Sequence, residues 1–375
     1  MSGGLEILID GTPVDQTFYE QMIQVEVEEN VDLPGALLLK LPVSATDASD
    51  LTYVNDTRLR PLASIAVVAT QDGKPDECIF DGYVLQHKLH LETGSTSSTL
   101  QVWAQDSSWL MNLEEKVREW VNVTDANVAL SIFESYGITA APENSDDDSP
   151  SHTEDGRTLM QRGSDIQFLR QIARRNGKLC RVACKDTPGK RIGYFAKPQV
   201  QGAPVLSLAL HDPESPSVDA LDFEWDVTRP SAVKARQALL TNSDADGVSV
   251  STSDSGLAAL DDQSLADFVG QPMTALLTTT VADAGELKLR SAGLLRESGW
   301  FARCEGEADV ARLGAVIRAG TVVSVDGAGA LNSGKYFVWS VRHTCTLQNH
   351  TMHFSLVRNA LGKPPASIPS LGGLP

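Results

Sequence analysis

IRAGTVVSVDGAGALNSGKYFVWSVRHTCTLQNHTMHFSLVRNALG, residues 317–362, is the most strongly patterned stretch of the chain. Thr321, Val323 and Val325 alternate with smaller or polar residues, the period-two signature of a half-buried strand. Asp326-Gly327 through Gly334 supplies turn chemistry, because glycine takes positive φ without a steric penalty. Tyr336–Thr346 is a longer strand rich in aromatic and β-branched residues, and Gln348-Asn349 turns it back into Met352–Val357. The stretch reads as a three-stranded meander with no nucleophile, phosphate loop or metal-ligand grid.

The totals bound what surrounds it. A chain of 375 residues is long enough for two or more domains with real cores, and 42% hydrophobic with 21% charged residues is an ordinary globular balance. The formal net charge of −18 disfavours generic binding to nucleic-acid backbones or anionic membranes, both polyanions, and suits a surface past which DNA slides without sticking. Neither a signal peptide nor an apolar run of membrane-spanning length is read, so no membrane insertion is expected. Cys78, Cys180, Cys184, Cys304 and Cys345 are odd in number and scattered, which fits free thiols of a reducing cytoplasm better than a disulfide framework.

From the N-terminus, Leu5–Asp10, Met22–Glu28, Ala36–Leu41, Leu62–Thr70, Cys78–Leu91 and Thr99–Gln105 read as strands, so residues 1–106 form a first antiparallel β-barrel or sandwich. Residues 107–216 change character to α+β. Thr124 caps a helix stopped at Gly137, and Ser164-Asp165-Ile166-Gln167 has capping-box spacing before a helix stopped at Gly177. The polar run Glu143–Asp155, with Asp146-Asp147-Asp148, reads as a solvated loop. Strands return at Ala220–Val227 and Ala232–Leu240, so residues 217–241 and 301–362 make a second β unit. A smaller insertion, 242–300, carries a helix at Ala284–Glu297, and 363–375 is a Pro/Gly tail.

The second unit echoes the first. Ile65–Ala69 parallels Thr321–Val325, Gly82-Tyr83-Val84-Leu85 parallels the segment from Gly334 to Val338, and Ile23–Val27 parallels Leu221–Val227. A spacing of about 250 residues is too long for a solenoid, whose periods run about 20–50 residues. One β-barrel module used twice, interrupted by inserted domains, fits better.

Specific chemistry finds little support. Asn242-x-Asp244-x-Asp246-Gly247 resembles half a calcium loop but has Ser253 where the bidentate glutamate belongs. His343, Cys345, His350 and His353 fall on one hairpin and could approach a metal, although alternation on strands favours packing roles. Ser107-Ser108 and Glu114-Glu115 show no sign of activation. No catalytic residue and no cofactor is expected. Glu26, Glu28, Glu224 and Asp226 alternate outward on matching strands and are the candidates for a lumen-facing acidic surface that repels passing DNA or other anionic cargo.

Three blocks carry a resemblance. VTDANVALSIFESYG (Val123–Gly137), LMQRGSDIQFLRQIARRNG (Leu159–Gly177) and the closing block, from a glycine-opened strand through His343 to LVRNALG (Leu356–Gly362), occur in the order and with the motifs of the phage late control D family. That family is also similar to the hub part of VgrG spikes, and the resemblance covers nearly the whole chain. It implies a mainly β protein with two tube-protein-like barrel modules per chain. Three chains would form a homotrimer of pseudo-sixfold symmetry that joins a hexameric tail tube to a trimeric spike protein around a channel. The implied partners are the tail tube or tube-initiator protein, the spike, baseplate wedge proteins and the tape measure protein. The implied location is the tail baseplate of a virion or phage-tail-like particle assembled in the bacterial host cytoplasm. A VgrG would continue into an OB-fold and needle, whereas this sequence stops thirteen residues after Gly362, so a separate spike polypeptide is expected. A VgrG-like effector-carrying hub and a tail-associated cell-wall hydrolase are the alternatives.

Overall fold

The computed structural model describes residues 4–46, 50–71, 73–93, 97–145, 148–155, 158–210, 217–237, 248–281 and 284–363. The calcium-like pattern at 242–247, Asp146-Asp147 and most of the Pro/Gly tail lie outside them.

The first unit contains β1 (Gly4–Ile9), β2 (Gln24–Asn30), β3 (Ala36–Pro42), β4 (Ser64–Thr70), β5 (Glu77–His90) and β6 (Thr99–Asp106). The insert follows with β7 (Glu115–Trp120), α1 (Asp125–Ser135), β8 (Leu159–Ser164), α2 (Asp165–Arg175), β9 (Leu179–Cys184) and β10 (Arg191–Ala196). Then come β11 (Ser207–Ala209), β12 (Leu221–Trp225), β13 (Ala232–Gln237), β14 (Val248–Thr252), β15 (Thr274–Leu277) and α3 (Ala284–Ser298). The chain finishes with β16 (Ala302–Asp309), β17 (Val322–Asp326), β18 (Gly334–Cys345) and β19 (His350–Arg358).

The expected repeat is present as topology. In chain order, β2 to β6 assemble side by side as β2–β3–β6–β5–β4, and β12, β16, β17, β18 and β19 assemble as β12–β16–β19–β18–β17. Both halves also carry a bulge at the same place. Register skips Leu85 where β5 faces β6 and skips Trp339 where β18 faces β19. Anchoring on the bulge makes Val84 equivalent to Val338 and pairs Ile65 with Val323, not Thr321. The sequence alignment was therefore two residues out of step, a slip that leaves a period-two pattern unchanged.

The halves are fused, not merely adjacent. β2 pairs antiparallel with the distal half of β18, from Ser340↔Asn30 to Cys345↔Val25, making one 13-stranded sheet among the described residues. Among those residues no bridge joins the sheet's two ends, because the opening strand of the first module is used on the second rather than on closing its own barrel. A single apolar core runs beneath both halves, from Ile7, Val25 and Leu39 to Val323, Tyr336 and Phe354. Two boundaries differ from the sequence reading. β11 adds to β17 in parallel, and β13 leaves the large sheet to pair with β14 and β15 in the smaller insertion.

The insert is clamped onto this sheet. Ser164 forms the capping box with Gln167 that the sequence suggested, and Gly137 and Gly177 take φ of 66° and 60° where their helices stop. Gly177 also lets α2 meet α3 closely, since a Cβ there would lie 2.6 Å from Gly293 Cα. Asp148, expected in a solvated loop, instead gathers Arg296 at 3.0 Å, Lys178 at 3.3 Å and Lys197 at 3.6 Å.

At the centre lies Arg318. Its guanidinium takes Glu29 of β2 in a fork (Nη2–Oε1 2.6 Å, Nε–Oε2 3.0 Å) and Glu77 of β5 at 2.9 Å. It also donates to the carbonyls of Cys78 and Cys184, each at 3.0 Å. Burial alone would lower the Arg318 pKa, but the Glu29 carboxylate outweighs it and raises it above the ordinary value. Removing one partner of such a pair strands a buried charge, so Arg318→Met is expected to cost about 3–5 kcal/mol. Urea unfolding checks this, and a loss below about 1 kcal/mol would refute the central role given to the pair.

Candidate functional site: an acidic sheet face

Register fixes which side chains share the outer face of the large sheet. One row across it runs Glu307–His353–Arg342–Glu28, another Asp309–Thr351–Thr344–Glu26, and a third Asp222–Glu305–Ser355–Ser340–Asn30. Glu224 follows Asp222 by two and lies on the same side. Glu26, Glu28 and Glu224 are therefore brought to one face although they come from both ends of the chain, and Asp226 continues it just past β12. The same face adds Asp222 of β12 and Glu305 and Glu307 of β16, the last two on a strand that the sequence reading did not recognise.

These carboxylates are exposed or half-buried and only partly neutralised. Glu28 meets Arg342 at 3.3 Å, Arg303 meets Glu305 at 3.6 Å, and Glu26 accepts from Gln24 Nε2 at 2.7 Å. Such open pairs are worth at most about 1 kcal/mol and leave the face acidic. Hydrogen bonds from Thr228 hold Asp226 below the usual carboxylate pKa, so it is charged at neutral pH. A cleft of about 370 Å³ at one end of the face places Glu224 and Asp226 beside Arg174, Arg229 and Arg303, with Trp300 as an apolar wall.

The histidines do not assemble as a metal site. His343 and His350 meet, Nδ1 to Nε2 at 3.1 Å, on the buried side of the hairpin, while His353 is exposed on the opposite side opposite Arg342. Among the described residues no group of three or more His, Cys, Asp or Glu could hold a metal. One neutral ring donates its N–H to the bare nitrogen of the other, and Nε2 of His343 has no hydrogen-bond partner among the described residues. The five cysteines are buried free thiols, and burial pushes Cys180, Cys304 and Cys345 up to about 12. Ser107 and Ser108 are buried in a turn capped by Asp106, whose Oδ1 accepts from Ser108 N at 2.9 Å. Glu114 and Glu115 face solvent.

The motif residues are fasteners. Thr124 caps α1, accepting from Asn127 N at 3.2 Å, and the buried Asp125 beside it binds Arg175 at 2.5 Å and His152 at 2.8 Å. Arg175, in the last turn of α2, thus turns inward. Tyr136 of the Tyr-Gly element donates at 2.8 Å to Asp165 of the Ser-Asp element, which Lys116 and Gln161 also bind, each at 2.6 Å. In LVRNALG, Arg358 is fully buried over Tyr336 and donates to Asn332 O and Ser333 O, while Asn359 binds Ala258 O at 3.0 Å and Leu260 N at 2.9 Å. The Asp125 and Asp165 contacts hold the insert together, and those of Arg358 and Asn359 hold residues 258–260 and 332–333 against the end of β19.

Comparison with known proteins places this architecture. The family model described as the Alg8 N-terminal domain matches residues 2–346. The chain belongs to that family. No curated protein matches. Among solved structures, the chain is similar to the 43 kDa tail protein of prophage MuSo2 from Shewanella oneidensis (14% identity, 96% of this chain and 100% of that one, TM-score 0.67). It is also similar to a tail protein from Neisseria meningitidis MC58 (12% identity, 96% and 97%, TM-score 0.66). A third likeness is to an E. coli type VI secretion component described as structurally similar to phage T4 tail proteins (14% identity, 97% and 80%, TM-score 0.55). At these identities the likeness concerns the fold, which this chain shares with those tail proteins.

The histidine pair yields a pH expectation. Burial holds His350 down to about 4 and His343 well below its ordinary value, so the native state keeps both neutral while the unfolded chain protonates them near 6.5. A folded pKa below the unfolded one means stability falls as pH drops from about 6.5 towards 4, by about 1.4 kcal/mol per pH unit for each group. Between pH 7 and 5, His350 alone should cost about 2 kcal/mol. Unfolding curves of wild type and His350→Gln across this range test it, the variant being expected to show the shallower slope.

Proposed function

We propose that the protein is a structural hub of a contractile tail or related injection particle. In this reading it is a homotrimer of pseudo-sixfold symmetry that joins a hexameric tail tube to a trimeric spike and surrounds a channel. The observation that carries the reading is the duplicated five-strand module. A chain with two copies of one module, arranged three around an axis, presents six similar faces upward and three identical chains downward, which is what a sixfold-to-threefold adaptor requires. Likeness to tail proteins and to a type VI secretion component over nearly the full chain supports it, as does the resemblance of the motif blocks to late control D proteins. Further partners in this reading are a tube or tube-initiator protein, baseplate wedge proteins and the tape measure protein. The place of action is the tail baseplate, with assembly in the host cytoplasm.

The acidic face has a role here. Glu26, Glu28 and Glu224, with Asp222 and Glu305 beside them, line the channel and repel anionic cargo, so passage does not stall on the wall. The work of the protein lies in interfaces and not in catalysis.

Native mass spectrometry of the purified chain, or cryo-EM of the assembled particle, should show three copies in a ring, and a monomer at micromolar concentration would overturn the hub. A peptidoglycan zymogram should show no clearing, and clearing would favour the hydrolase alternative. Replacing Glu26, Glu28 and Glu224 by Gln should slow DNA or cargo release at low salt, with an effect that shrinks as salt rises. Unchanged release would remove the channel role of the face.

A further inference from the structure

The junction between the two modules of one chain specifies how one chain meets the next. Within the chain, the distal half of β18 is covered by β2, and the facing residues His343, Val27 and Val25 are completely buried. The equivalent edge in the first module is the distal half of β5. Its proximal part, to Tyr83, is paired with β4, but from Gln86 to His90 it has β6 on one side and no strand on the other among the described residues. The equivalent of β2 is β12, which among the described residues pairs with β16 alone and ends the sheet. Among the described residues one chain therefore carries both halves of a second junction, unmade, on β12 and on the distal half of β5.

We infer that β12 of one copy adds antiparallel to residues 86–91 of the next copy, repeating between chains the joint that β2 and β18 make within one. This rests on the ring reading above and names its contact. The bulge equivalence translates the internal register directly. Val84 stands for Val338, so Lys88 stands for Arg342, Leu89 for His343, His90 for Thr344 and Leu91 for Cys345. Pairing of β3 with β6 and of β16 with β19 likewise makes Leu221 stand for Val25, Asp222 for Glu26, Phe223 for Val27 and Glu224 for Glu28. The internal pair Arg342↔Glu28 becomes Lys88↔Glu224, and Thr344↔Glu26 becomes His90↔Asp222. On the inward side, His343↔Val27 becomes Leu89↔Phe223, and Cys345↔Val25 becomes Leu91↔Leu221.

The translated pairs match in chemistry although nothing in the translation required it. Lys88 meets Glu224 on the outer face, Leu89 and Leu91 meet Phe223 and Leu221 on the inner face, and both kinds of pair suit cross-strand neighbours. Exposure agrees. Leu89 and Leu91 are 39% and 56% exposed at the free edge, whereas the residues they stand for are covered. An edge lysine by itself is ordinary protection of an open strand. Here the lysine faces a glutamate in a register that the chain already uses once. Because the two edges differ, the contact is head-to-tail, and three copies in the ring leave neither of these two edges free.

Two sets of variants test the register. His90→Cys with Asp222→Cys should give, under oxidation, covalent species that end at three copies, while either single variant gives none; the five native thiols are buried. Lys88→Glu and Glu224→Lys should each weaken association, by about fivefold per junction, and the two together should restore it. A wild-type trimer in which the double cysteine does not cross-link and the charge reversals change nothing would overturn this register while leaving the hub standing. A chain that stays monomeric at every concentration would overturn both.

Discussion

Everything in this molecule leans on the Arg318–Glu29 pair. Glu29 belongs to the first module, Arg318 to the second, and the carbonyls that complete the guanidinium's shell come from β5 and from the end of β9 in the insert. Three parts of the chain therefore meet at one buried charge pair. A planar guanidinium with five donors can satisfy several acceptors at once in fixed directions, which a lysine cannot. The pair does more than add stability. It ties the second module to the strand of the first that pairs with β18.

From that junction the rest follows in order. Fusing the modules through β2 carries one core beneath both and one outer face above both. The common outer face collects carboxylates that are distant in sequence. Charged and hydrogen-bonded residues thus divide into those that fasten segments, which are buried and paired, and those that remain open on the sheet. The motif blocks that draw the eye in the sequence belong to the first group. The acidic strands, whose pattern is plain alternation, belong to the second.

Much of this could be read in advance. Strand positions were legible because Val25, Val27, Leu37 and Leu39 alternate cleanly, and helix ends because Ser164, Gly137 and Gly177 act locally. The repeat was legible as a pattern but not in register, since period two tolerates a slip of two residues and Gly82 then sits against Gly334 by coincidence of turn chemistry. The partner of Glu29 was not legible. Its arginine lies 289 residues away, and an arginine before a glycine-opened strand looks like any surface cation. The histidine group was half right: His343 and His350 face each other across the hairpin, but the alternation that brings them together sends His353 to the other side. Asp148 was misread because a run of aspartates carries no sign of the three cations that the fold brings to it.

The covalent linkage of the two modules has a kinetic meaning. In any closed ring of such modules, a joint formed inside a chain is made once, at folding, by strands held at high effective concentration. Only the alternate joints remain to be made by collision. A ring of six modules then needs encounters among three bodies rather than six, so its assembly depends far less steeply on how much protein the cell has made. In such a ring, duplication and fusion of the module would act as a concentration buffer, turning a high-order assembly reaction into a low-order one.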